Sequence, residues 1–125
     1  MEGYEKIGGI TELSPHVVIA EYIERVKEVE RERLKEGIKK LCDHLSEKDI
    51  VVPINFIHYG DTLYSEVFDS ELYFLISCGI VNEKKGSIIY EITQSGEALL
   101  GRSNNIWNVP DELMKIIDSA FHEEV

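Results

Sequence analysis

Residues 58–81 read HYGDTLYSEVFDSELYFLISCGIV. Gly60-Asp61-Thr62 has turn chemistry. Ser65 stands where a helix N-cap belongs, and apolar residues then recur with helical spacing to Cys78. Gly79 is placed to close that helix in the left-handed conformation. Ile80 to Glu83 follows as a strand, Lys84-Lys85-Gly86-Ser87 as a hairpin turn and Ile88 to Ile92 as the return strand. A two-stranded ribbon cannot bury both faces alone, so it must lean on helices.

Working outward, Ser14-Pro15 marks a helix start. Helical periodicity continues to about Glu47, but its phase changes. Ile19, Tyr22, Ile23, Val26 and Val29 form one stripe; Leu34, Ile38, Leu41 and Leu45 form a second, rotated by about 100°. This predicts two helices that break near Glu30 to Arg33. Gly37 lies inside the second, where it weakens the helix or permits close packing. Residues 1–13 are Gly-rich and read as a loosely held arm. Downstream, Thr93 caps a short helix through about Leu100, and residues 101–109 form a polar loop. Pro110 opens a last amphipathic helix with Leu113, Met114, Ile116, Ile117, Ala120 and Phe121 as its apolar positions. The order predicts one α+β domain over residues 1–125: a winged helix-turn-helix with three helices, a two-stranded wing and an added C-terminal helix over 110–125. Packing on its own domain is the default for such a stripe; equally, terminal helices of this kind often form a two-fold seam, and a homodimer is expected.

The composition, 43% hydrophobic and 30% charged, is that of a globular protein. No apolar run approaches the ~20 residues that span a bilayer. The N-terminus lacks a basic region followed by an apolar core, so no membrane association and a cytoplasmic location are expected. Cys42 and Cys78 sit in apolar helical patterns as buried thiols, and the histidines are scattered, which predicts no metal site and no cofactor. The net charge of −11 disfavours nucleic acid. It is unevenly spread: residues 25–48 carry eight basic and six acidic side chains, whereas residues 49–83 carry six acidic and no basic ones.

On the helix 65–78, Glu66, Asp69, Ser70, Tyr73 and Ser77 share one face. In a winged helix this face would meet a DNA groove, yet it offers carboxylates to phosphates. Glu66, Asp69 and Tyr73 are therefore expected to contact solvent or protein. Glu71 falls in phase with Val67, Phe68, Phe74 and Leu75, and an inward carboxylate needs a partner; a cation of the second helix such as Lys40 is expected. The best phosphate contacts are Lys84 and Lys85 on the ribbon tip with Arg31, Arg33, Lys39 and Lys40 on the second helix. His58, Tyr59, Asp61 and Tyr64 contain acid–base groups but no accompanying nucleophile or oxyanion site, so no catalytic residue is assigned. Tyr59 and Tyr64 are expected to pack their rings against the core.

Tyr59, Gly60, Tyr64, Ser65, Leu72, Leu75, Gly79 and Ile80, followed by Tyr90, Ile92, Thr93 and Gly96, resemble the pattern of the YwgA-like winged-helix proteins, which are related to the Panacea antitoxin domain. The resemblance covers roughly Arg31 to Leu100. In that group a Gly-Pro-Tyr turn precedes the helix; here Gly60-Asp61-Thr62-Leu63-Tyr64 has no proline and two extra residues. The resemblance implies a regulatory or partner-binding module rather than an enzyme. Together these readings predict a non-enzymatic module acting through protein contacts. The alternative expectation is a DNA-binding, transcription-regulator-like protein using the second helix and the wing.

Overall fold

The computed structural model describes residues 3–100 and 106–124. Gly8, at φ 67°, turns the N-terminal segment into a hairpin of β1 (Tyr4–Ile7) and β2 (Ile10–Leu13). The expected loose arm is thus corrected over these residues. Leu13 is fully buried, and Gly3 N–H donates to the Trp107 carbonyl at 2.8 Å. A Cβ on Gly3 would lie 2.6 Å from Val17 Cγ2, so only glycine admits this approach.

The first helix, α1 (Pro15–Val26), starts at the predicted Pro15, although the Ser14 hydroxyl makes no capping bond. Seven consecutive residues, Val17 to Ile23, are buried. A helix buried all round has neighbours on every side, and α1 packs against the helices and strands that follow. It ends because Lys27 takes φ 72°. Residues Glu28–Glu30 then form β3 before α2 (Arg31–Ser46) begins. The predicted break is real but falls about three residues early, and it holds a strand. Val29 therefore belongs to a period-2 Glu-Val-Glu unit rather than to the first helical stripe.

Beyond α2 the chain forms β4 (Ile50–Val51), which pairs in parallel with β2, and a second hairpin, β5 (Ile57–Tyr59) and β6 (Thr62–Tyr64). Helix α3 (Glu66–Ser77) opens on Ser65, whose Oγ accepts the Phe68 N–H at 3.1 Å. It closes on Gly79 at φ 77°, with Gly79 N–H donating to the Ile76 carbonyl and Ile80 N–H to Leu75, each at 3.0 Å. These are the two bonds of a Schellman motif, and both Leu75 and Ile80 are buried beside them.

The ribbon follows as β7 (Val81–Glu83) and β8 (Ile89–Ile92). It is wider than predicted, because β3 pairs antiparallel with β8 to give the strand order β3-β8-β7. Thr93 caps α4 (Gln94–Leu100) by accepting the Gly96 N–H at 2.8 Å. The helix predicted from Pro110 is α5 (Asp111–Glu124). The predicted loop 101–109 is described only from Ile106 onward. The described residues form an α+β fold of five helices and small sheets, and none of those helices is long and apolar enough to cross a membrane.

Four of the six apolar positions of α5 pack inside the chain. Leu113, Ile117, Ala120 and Phe121 are buried, α5 packs on α2, and the Phe121 ring meets Tyr22 edge-on at 5.3 Å. Met114 and Ile116 of the same stripe stay half-buried.

Candidate functional site

Three of the six expected phosphate contacts, Arg31, Lys39 and Lys84, are engaged within the fold. Arg31 opens α2 and reaches two other elements. Its Nη2 donates to Asp69 Oδ1 on α3 at 2.5 Å, and its Nη1 donates to the Tyr90 hydroxyl on β8 at 2.8 Å. Lys84 on the ribbon tip forms ion pairs with Glu28 and, at 4.0 Å, with Glu91. Lys39 lies 3.7 Å from Asp43 one turn along α2. Among the described residues, Arg33, Lys40 and Lys85 have no ion pair. Arg33 and Lys40 border a shallow cleft on α2 with Tyr22, Glu36 and Gly37. A Cβ on Gly37 would stand 2.1 Å from the Tyr22 hydroxyl oxygen, so this glycine serves close helix packing.

Glu71 does turn inward, but its partner is not Lys40. Its Oε2 lies 3.1 Å from His16 Nδ1 on α1. The His16 ring is wedged edge-on between Phe74, at 5.5 Å, and Trp107, at 5.0 Å. Its Nε2 is buried without a hydrogen-bond partner among the described residues. The pair fastens α3 to α1 at the edge of the core.

A second carboxylate sits deeper. Glu21 is buried, and burial pushes its carboxyl above the usual range, opposed by the Arg25 guanidinium. Arg25 donates to Glu21 Oε1 at 2.8 Å and, through Nε, to Asp118 on α5 at 2.8 Å. This network joins α1 to α5.

The outward face lies elsewhere, on β5, β6 and α3. Opposed residues in the hairpin are Ile57 with Tyr64, His58 with Leu63 and Tyr59 with Thr62. Side chains alternate along a strand, so Ile57, Tyr59, Thr62 and Tyr64 share one side and His58 and Leu63 the other. Leu63 is buried, which fixes the first side as the solvent side. This separates His58 from Tyr59 and Tyr64 and divides the expected acid–base cluster. It also overturns the expected packing of the tyrosine rings: Tyr59 is 77% exposed and Tyr64 43%. The cause is the register that buries Leu63.

The hairpin is held by an unexpected cation. Lys35 is 5% exposed; its Nζ donates to the Leu63 carbonyl at 2.9 Å and to Glu32 Oε2 at 3.1 Å. In sequence it is one more lysine on a basic helix, with no local mark of burial. The exposed side of the hairpin continues onto α3 through the Tyr64 hydroxyl, which donates to Glu66 Oε1 at 3.4 Å. Glu66 and Asp69 together push the Tyr64 phenol above its usual range. Of the face predicted on α3, Glu66 and Ser70 are exposed and Tyr73 is 71% exposed, while Asp69 is half-buried against Arg31. Ile57 (56%) and Val67 (39%) add exposed aliphatic surface.

Cys42 is half-buried and its thiol is pushed up to about 12 by burial, whereas Cys78 is exposed. Among the described residues, no three histidine, cysteine or acidic side chains gather as a metal set. No protein-family model, curated protein or solved structure matches this chain.

Proposed function

We propose that the chain is a non-enzymatic winged-helix module that acts through protein contacts. The element order α1, β3, α2, α3, β7, β8 supports the winged-helix reading, with β3 joining the ribbon to make a three-stranded wing. The hairpin β5–β6 is then an insertion between the second and third helices.

One observation carries the functional half of this reading. Half of the cations that would meet phosphates are paired internally, Arg31 with Asp69, Lys39 with Asp43 and Lys84 with Glu28, while the outward face of α3 is acidic and aromatic. Counterion release needs cations free to neutralise phosphates. With α5 committed to its own core, protein contacts fall to the surface of the hairpin and α3.

Anisotropy titration of the full chain against a labelled mixed-sequence duplex at low salt tests this reading. We expect no tight binding. Tight binding that falls steeply with salt, and that Lys84→Glu with Lys85→Glu abolishes, would establish the second helix and wing as a DNA-binding surface and overturn it.

A further inference from the structure

Large exposed rings are costly to leave in water, and a contiguous exposed apolar surface on a small domain marks a contact site. Here Tyr59 and Tyr64 project from one side of the hairpin, with Ile57 beside Tyr64. The Tyr64–Glu66 hydrogen bond joins that side to the outer face of α3. Tyr73 lies one turn beyond Asp69 on the same helix face. The ground beneath is firm: Leu63 is buried, Lys35 holds the Leu63 carbonyl, and Ser65 caps α3.

The charge on this surface has one sign. Residues 49–83 contain no lysine or arginine, and Asp61 and Glu66 are exposed here without an ion-pair partner among the described residues. Arg31, which reaches toward this side, is neutralised by Asp69. A partner surface with the same charge would be repelled, and an uncharged one would strand the carboxylates. A partner that alternates apolar side chains with lysine or arginine satisfies every group. Its apolar residues cover Ile57, its cations meet Asp61 and Glu66, and its cationic heads stack on the tyrosine faces, which attract cations through the ring quadrupole.

We propose that the face formed by Ile57, Tyr59, Tyr64, Glu66 and Tyr73 is a docking site for a basic, apolar-bearing segment of another protein. This rests on the protein-contact reading above and names its surface and its partner's chemistry.

Three synthetic peptides of equal length serve as probes with the full-length chain. One alternates Lys/Arg with Leu, the second is oligolysine, and the third is the first with Glu in place of its cations. Binding is followed by amide shifts in heteronuclear NMR spectra. The first peptide should bind with shifts concentrated in residues 57–73. Tyr59→Ser with Tyr73→Ser, both on exposed side chains, should weaken it about tenfold, as should Asp61→Lys with Glu66→Lys; the acidic peptide should not bind. Equal binding of oligolysine and the first peptide, with no loss in the tyrosine variant, would reduce the face to a counterion surface and overturn the proposal. Sedimentation of the free protein provides a second arm. A concentration-dependent dimer abolished by the tyrosine variant would make a second copy the occupant and also overturn it. If neither the duplex nor any peptide binds, this proposal falls and the broader protein-contact reading stands; duplex binding through the wing removes that broader reading itself.

Discussion

Gly96→Ala probes the contact that sets α4 on the rest of the fold. A Cβ at this position would lie 2.3 Å from the Ile80 carbonyl oxygen, 2.9 Å from Ile92 Cδ1 and 3.1 Å from the Ile80 carbonyl carbon. Ordinary C···O contacts lie near ~3.3–3.6 Å, so α4 or the α3–β7 corner must move by about 1 Å. The corner is not free to yield. Its Ile80 carbonyl accepts Thr93 N–H at 3.1 Å, and the Thr93 hydroxyl donates to Gly79 O at 2.6 Å while accepting from Gly96 N–H. Overpacking of this kind costs about 1–3 kcal/mol, and disturbing the Thr93 cap adds about 1 kcal/mol. Alanine recovers at most about 1 kcal/mol in helix propensity. The net expected loss is about 1–3 kcal/mol, or a fall in Tm of roughly 4–12 °C for a domain of this size. Thermal unfolding by circular dichroism measures it. Ser95→Ala, on an exposed neighbour in α4, should stay within about 0.5 kcal/mol of the parent. Thr93→Val combined with Gly96→Ala should be less than additive, because both loosen one junction. A Gly96→Ala protein that melts higher than the parent, as glycine replacement in an open helix would produce, refutes the close approach.

Lys35→Met leaves the Leu63 carbonyl without its charged donor and should cost about 1.5–3 kcal/mol. Hydrogen exchange should then quicken first in residues 57–64, and uniform quickening across the chain would argue against a local anchor. The buried Glu21 has a raised carboxyl, so the stability carried by its protonated form is complete below the unfolded value of ~4.3 and is lost as pH rises through the higher folded value. Parent and Glu21→Gln, compared by urea unfolding from pH 4 to 7, should therefore diverge in favour of the variant as pH rises; a gap that moves the other way contradicts the burial account. At neutral pH a thiol reagent should label Cys78 quickly and Cys42 only after unfolding, since the Cys42 thiol is pushed up to about 12. Equal labelling of both in the native protein would show that Cys42 is accessible.

The parts of the fold that were legible are those whose signals are local. Helix α3 is bounded by a hydroxyl that bonds three residues ahead and by a glycine whose bonds reach back within one turn. The Thr93 cap on Gly96 is equally short in range. Strand β3 escaped because its three residues lie between two helical stripes and its partner on β8 is about sixty residues away. Period-2 alternation over three residues cannot compete with helical periodicity on either side. The same limit governs the site. The inward phase of Glu71 is a property of its own helix and was readable; its partner, His16, lies 55 residues away and was not. The exposure of Tyr59 and Tyr64 depends on which face of the hairpin Leu63 occupies, and a shift of one residue would have reversed it.

Charge shows the difference most sharply, because a sequence counts charges but does not pair them. Residues 25–48 look like a basic surface with eight cations. In the fold, Arg25, Lys27, Arg31, Lys35 and Lys39 each meet a carboxylate, leaving Arg33, Lys40 and Lys48 without an ion pair among the described residues. The paired cations tie α2 to α3, α1 to α5 and α2 to the second hairpin. Cations engaged in this way hold helices together and have little field left for a polyanion. Asp61 and Glu66 have no ion-pair partner among the described residues, so two unneutralised carboxylates lie beside exposed rings. Uneven pairing, more than net charge, is therefore the ground on which the proposed cationic partner rests.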